Sequence, residues 1–599
     1  MPKSRSVLLL AVCIALIPCR QAFAQSKTIT SPLCTHDNAL EMIKQQVAFT
    51  RTFNDSIRRI TVLIRAADLL WPHQQDRARA AFAEAFELAT EAEKEAEQKG
   101  PRSIILRMQT PDQRYVVIRA VAKRDSAWAK TLTRQMLKRE TADRTSARDS
   151  SSDLLTAEKL LSTATEMIST DRNTALDLAI VSLNYPAGDT LTRFLYRLAE
   201  VDQLTADRFY AQALVVYGEK PMREFLYLQA YPFAWRETLN TPTFAFYYEI
   251  PAKFVTNRSL QRRFVEVLLR RAQQALEAPA DQSDVYQDTN ARWQPGPVHL
   301  LKSLIKLEPQ VRETLPDLSP ALTQAREKLF VSLPVETQKL FQQAGTEIST
   351  EKDQTFAERI ESAKAELDVE ERDQLIASAV LGSEKEKPAD VMEAIDEIID
   401  LKLRAHLLEW FYFTRTTTAI KRKQFDEAER LTAKLEGLEQ RAYLHTEIAK
   451  GLMNSDSQTH ALEVLDDAIT EAKKAGASIF AARSLLTASN LYAKFDVNRS
   501  ISILADAISC INHIEAPDFS GDAVLEKTPE RRGRGGRYQG EYLMRFYMPG
   551  LDPESAFRAM AKIDFDNAFA LGSTLTDKPQ RAMSTLAVAE TCLGHRLHR

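Results

Sequence analysis

The chain has 599 residues, 44% of them hydrophobic and 27% charged, with 79 basic side chains against 82 acidic ones and a formal charge of −3. A body this long holds either several domains or one extended repeat array. Its near balance of charge gives no electrostatic reason to bind nucleic acid or another polyanion.

Lys3 and Arg5 precede an apolar stretch over residues 7–17, and Ala22-Phe23-Ala24 offers small residues for cleavage. This is the pattern of a secretory signal peptide over residues 1–24, with a mature chain starting at Gln25. The apolar core is short for a bilayer, and no later segment has an uninterrupted apolar run of spanning length, so no transmembrane segment is expected. The alternative is a lipid anchor at Cys19, which follows Leu16-Ile17-Pro18, although Pro18 stands where a small flexible residue is wanted. The expected location is periplasmic or extracellular, with a membrane-anchored lipoprotein as the alternative. Cys13 and Cys19 leave with the leader, and Cys34, Cys510 and Cys592 allow at most one internal bridge.

Residues 25–218 read as an N-terminal helical array. Ile57, Ile60, Leu63, Ile64 and Ala67 recur at helical spacing behind the capping candidates Asn54 and Asp55, and Pro72 interrupts before a second stripe of Ala78, Phe82, Phe86 and Ala89. Each stripe needs a neighbouring helix for cover, which predicts antiparallel pairs. The same pattern continues through Ala129, Leu132 and Met136, through Ala175, Leu178 and Ala179, and through Ala206, Phe209, Tyr210 and Ala213.

Residues 219–298 depart from that rhythm, because Pro221, Pro232, Pro242 and Pro251 punctuate a run of aromatic residues. The segment is either a core plug between two subarrays or an exposed recognition loop, and Tyr231, Trp235, Tyr247 and Tyr248 are the candidate partner surface in the second case. Residues 281–298 read as a loose bridge. Residues 299–400 form a charged helical block, in which Asp390 is placed to cap a helix and Ile395, Ile398 and Ile399 carry the core period.

Residues 401–516 carry the clearest repeat. Ala461, Leu465 and Ala468 recur 39 residues later as Ser500, Leu504 and Ala507, and Ala428-Glu429-Arg430-Leu431 precedes the first set by 33 residues. This resembles the second-helix pattern of tetratricopeptide repeats, chiefly over residues 401–512, although the usual glycine is missing and the spacing varies. The resemblance implies helix pairs that stack into a superhelix and contact a protein or an extended peptide. Residues 517–540, with Arg531-Arg532-Gly533-Arg534-Gly535-Gly536-Arg537, read as a flexible basic linker, and residues 541–599 as a C-terminal helical cap. The expected fold is all-α, an α-solenoid of antiparallel helix pairs with irregular aromatic and proline-rich insertions.

No catalytic, cofactor-binding or metal-binding motif emerges. The nine histidines are scattered, none in a His-Glu-x-x-His arrangement, and Cys592, His595 and His598 read as a frayed terminus rather than a metal site. Asp396 and Asp400 share a helical spacing and read as a solvated face. Soluble lytic transglycosylases are a comparison for a large helical body in the envelope, but no lysozyme-like domain is recognisable here. The expected function is an exported scaffold that binds a protein or extended peptide. The alternative is a cell-envelope polymer hydrolase whose acidic site is assembled from distant helices around the aromatic segment.

Overall fold

The computed structural model describes residues 31–98, 112–143, 150–235, 248–277, 285–287, 293–335, 337–339, 355–383, 386–454, 457–519, 521, 523–527 and 544–594. The leader over residues 1–24, its Cys19, and the Arg-Gly run at 531–537 lie outside them. The described chain is mostly α-helical, with neighbouring helices packed on one another as a repeat or solenoid requires.

Local chemistry sets the helix ends. Asp55, Asp171, Asp496, Asp552, Asp564 and Asp577 each accept a backbone N–H of the first turn of the helix that follows, which satisfies a donor left without an intrahelical partner. At the other end of the helix Gln458–Ala475, Gly476 takes φ +86°, a conformation that side chains with a Cβ rarely adopt. In the C-terminal repeat, the helices Leu438–Leu452 and Gln458–Ala475 pair, as do Ile479–Tyr492 and Val497–Asn512. Ala461, Leu465, Ala468, Ser500, Leu504 and Ala507 are all buried, so the repeated small residues do lie at helix crossings.

Among the described residues, three hydrophobic clusters form the interior. The first runs from Ile60 to Leu333 and the third from Phe356 to Met548, with Trp410, Phe411 and Phe413 among its members. The second gathers Ala428 to Cys592 around Ala39, Leu40 and Ile43 from the amino-terminal helix His36–Phe49. The helix Ser56–Leu70 divides its faces, sending Ile60, Leu63 and Ala67 into the first cluster and Val62, Ala66 and Leu69 into the second. Ile420 packs against both the second and the third. The clusters therefore follow one another as third, second, first, and the two ends of the chain meet in the middle one.

Polar links fasten that meeting. A disulfide joins Cys34 to Cys592, with Cα atoms 5.2 Å apart, and among the described residues Cys510 is the free cysteine. Arg58 donates to both oxygens of Asp577, at 2.8 and 2.5 Å, and to the Pro517 carbonyl at 3.1 Å. Arg65 reaches Glu554 at 2.6 Å and Glu590 at 2.7 Å, and Arg558 pairs with the same two carboxylates. Burial pushes the Glu554 carboxyl up even so, with Arg65 and Arg558 opposing the shift.

Four expectations need correction. Residues 281–298 are not merely a loose bridge, since Val285–Gln287 and Trp293–Pro295 pair antiparallel and the helix Gly296–Thr314 follows at once. The edges of the basic linker form a second hairpin, in which Val524–Lys527 pairs with Met544–Tyr547. Its strand Met544–Tyr547 buries Met544 and Phe546 in the third cluster, with Phe546 against Phe413, a two-residue alternation that helical periodicity does not reveal. Asp390 is not the cap of Pro388–Asp396, because Lys387 occupies that position and Pro388 opens the helix. That helix stops at Asp396, so Asp396 and Asp400 do not share a helix: Asp400 caps Leu401–Lys421, and Ile399 in the connection is exposed.

Candidate functional site

The aromatic segment is where the sequence places its candidate surface, and three of its four residues are described. Tyr231 is 1% exposed and Tyr248 3%, while Trp235 is half-buried. Tyr247 lies outside the described residues. Tyr231 stacks on Tyr210 at 5.2 Å and meets Tyr196 and Phe254 at 5.4 and 5.1 Å, and Tyr248 lies 6.0 Å from Tyr196. The Tyr231 hydroxyl donates to Asp207 Oδ1 at 2.8 Å, and Asn257 Nδ2 holds the other oxygen at 2.8 Å. Trp235 Nε1 donates to Gln310 Oε1 at 2.7 Å, with Lys306 Nζ 4.4 Å from its ring centroid. Burial, reinforced by Asp207 beside Tyr231 and by Asp189 near Tyr248, holds both phenols protonated. Rings this deep cannot form a recognition surface, so the plug account fits Tyr231 and Tyr248. Tyr248, a candidate for that surface, faces the interior instead.

Beside the plug lies a carboxylate pair that no local motif announces. Glu158, on the helix Ser150–Met167, faces the start of Asp189–Tyr217, where a Cβ on Gly188 would sit 3.3 Å from Glu158 Oε1. The absence of that Cβ lets the two helices approach closely. Burial and the adjacent Asp189 push the Glu158 carboxyl up to about 7, and burial raises Asp189 although Arg193 pairs with it at 2.8 Å. The consequence for stability has a definite sign. Below the ordinary value of 4.5, Glu158 is protonated in both the folded and the unfolded chain, and stability is undiminished. From there to about 7 the unfolded chain releases the proton first, so stability falls, and it levels off above that. Glu158→Gln is therefore expected to melt above wild type at pH 8 and with it at pH 4, in thermal scans followed by circular dichroism. Equal melting at both values would mean that Glu158 ionises normally.

Among the described residues, no group of three or more His, Cys, Asp or Glu is placed to hold a metal ion. Cys592 is committed to its bridge with Cys34, and His595 and His598 lie outside the described residues. No described helix is long and apolar enough to cross a membrane.

Two further surfaces could contact a partner. One is an apolar ridge on Asp189–Tyr217, where Leu204 and Val215 are 62% and 77% exposed. Their spacing of eleven residues, three helical turns, puts them on one side of the helix. Gln203 holds Val255, itself 68% exposed, beside that ridge by bonding both its backbone N–H and its carbonyl. The other is a cleft of about 360 Å³ where the two chain ends meet, lined by His36–Phe49 on one side and by residues of Phe565–Ser573 and Lys578–Leu593 on the other.

No family model matches the chain, and no curated protein matches it. A solved structure described as a circular tandem repeat protein with novel repeat topology and enhanced subunit contact surfaces aligns over 92% of this chain and 97% of its own, at 11% identity and a TM-score of 0.13. A TM-score that low is not a shared topology, and the architecture described above rests on the packing of this chain's own helices.

The sequence did not announce the ridge or the cleft. The ridge alternates with buried Phe209, Tyr210 and Ala213 on a helix whose inner stripe dominates the pattern, and the cleft joins residues more than 500 positions apart.

Proposed function

We propose that this chain is an exported helical-repeat scaffold that binds a protein or an extended peptide across its stacked helices. The observation that carries the reading is the ridge formed by Leu204, Val215 and Val255. Large apolar side chains exposed along one side of an element already anchored by its opposite face are what a partner's apolar residues would cover. The tetratricopeptide-like reading of residues 401–512 belongs to the same proposal and is supported by the burial of Ala461, Leu465, Ala468, Ser500, Leu504 and Ala507 in consecutive helix pairs.

A photo-crosslinking side chain placed at Leu204, and separately at Val215, is expected to yield the same discrete adduct in cells, and Leu204→Asp is expected to abolish capture from Val215 without lowering the melting temperature. Adducts no different from those at an exposed control such as Lys474 would remove the ridge from the account.

Export is part of the proposal. It is supported by the pattern of residues 1–24 and by the Cys34–Cys592 bridge, which persists in an oxidising compartment. The intact mass of the exported protein is expected to begin at Gln25. A diacylglyceryl adduct on Cys19 would replace this with a membrane-anchored lipoprotein.

The second reading, a hydrolase acting on a cell-envelope polymer, draws on one observation. Glu158, held protonated up to about 7, and Asp189 beside it stand next to the aromatic plug in the relation of a proton donor and a carboxylate partner. It requires that Glu158→Gln abolish release of soluble fragments from purified envelope polymer. Wild-type protein that releases none excludes it.

A further inference from the structure

The cleft between the chain ends combines three properties. Its cation is uncommitted: the Arg581 guanidinium stacks over Phe49 at 5.1 Å and has no ion pair or hydrogen bond of its side chain among the described residues. One helical turn earlier, Lys578 Nζ donates to the Thr52 carbonyl at 3.0 Å and likewise meets no described carboxylate. Its walls are apolar, with Met42 and Phe49 on the amino-terminal side and the exposed Phe569 opposite. Its rim carries the side-chain amides of Gln45 and Gln46, which bond to no described residue.

A planar cation beside apolar walls selects a carboxylate attached to an apolar group. The free amides add donors and acceptors suited to a peptide backbone, which an acyl chain would leave unused. The volume of about 360 Å³ is at the small end of ligand clefts. We propose that this cleft binds the carboxyl terminus of a peptide whose last side chain is apolar. The terminal carboxylate lies on Arg581 with Lys578 adding field, the last side chain sits between Met42, Phe49 and Phe569, and Gln45 and Gln46 bond the preceding backbone. The inference rests on the peptide-binding reading of the scaffold but places this ligand at the joint of the two chain ends, away from the ridge on Asp189–Tyr217. Because both walls must be present, ligand binding and closure of the chain ends favour one another.

The test uses the full disulfide-bonded chain and fluorescein-labelled Gly-Ser-Gly-Ala-Phe-Leu, read by fluorescence anisotropy. The free acid is expected to bind at least about tenfold more tightly than the same peptide with a terminal amide. Arg581→Gln is expected to weaken the acid by a similar factor and to leave the amide nearly unchanged. Should Arg581→Gln disturb the fold, Gln45→Glu, at an exposed rim position, sets a carboxylate against the incoming one and is expected to weaken the acid by the same mechanism. Reduction of the Cys34–Cys592 bridge is expected to weaken it as well.

No binding of the acid at about 1 mM, equal affinities of acid and amide, or unchanged affinity in both variants would overturn the proposal. Binding of decanoate without the peptide would overturn it too and would make the cleft a fatty-acid site. Crosslinks at Leu204 and Val215 that persist in Arg581→Gln would leave the scaffold reading standing while this one fell.

Discussion

Tyr231→Ala is expected to destabilise the fold by about 3–5 kcal/mol, the scale for emptying a buried large aromatic site. The ring is closed in by the aromatic rings of Tyr196, Tyr210 and Phe254. Its hydroxyl also donates to Asp207, so truncation removes one of the hydrogen bonds that hold that carboxylate. Tyr231→Phe keeps the volume and removes only the hydrogen bond, with an expected loss of about 1–3 kcal/mol. Tyr248→Ala is expected to fall nearer to Tyr231→Ala than to a surface change, because Tyr248 is buried as well. Urea denaturation followed by circular dichroism checks the series. A Tyr231→Ala protein within about 1 kcal/mol of wild type would mean that the aromatic segment is not a plug.

Removing the bridge between the chain ends is the other large change. Cys34→Ser combined with Cys592→Ser is expected to lower stability by about 2–5 kcal/mol, since the bridge closes a loop of sequence separation 558 and its loss frees the unfolded chain. Losses are expected first in the helix His36–Phe49, whose attachment to Lys578–Leu593 the bridge clasps. Hydrogen exchange resolved by mass spectrometry would show this as faster exchange of the amides of 36–49, with those of the helix Leu401–Lys421 little altered. Uniform acceleration across the chain, or none, would contradict it.

Much of this architecture was legible because helix periodicity is a local property. Ile60, Leu63 and Ala67, or Ala461, Leu465 and Ala468, fall on one face by spacing alone, and Asp55 announces its helix by chemistry alone. The carboxy-terminal hairpin was hidden because its strands are four residues each and are separated by an arginine-glycine run that suggests a linker. The meeting of the chain ends was hidden for a different reason. The three cysteines beyond residue 24 permit one bridge without naming its partners, and the ion pair of Arg58 with Asp577 has no signature in either neighbourhood. The same applies to Glu158, whose raised proton affinity comes from Asp189 and from burial that exist only once two helices have packed.

Both ends of the described chain build the middle cluster together, and the ion pair between Arg58 and Asp577 measures that meeting most directly. The two side chains are 20% and 17% exposed and are joined at both carboxylate oxygens, a geometry that makes strong coupling. A double-mutant cycle of Arg58→Gln and Asp577→Asn isolates that coupling. The asparagine keeps the helix cap, and a Cys34→Ser, Cys592→Ser background removes the covalent tie. The predicted result is an interaction energy of about 1–2 kcal/mol between residues far apart in sequence. Additive effects within about 0.3–0.5 kcal/mol would show that the two ends do not meet, and would contradict the fold described here.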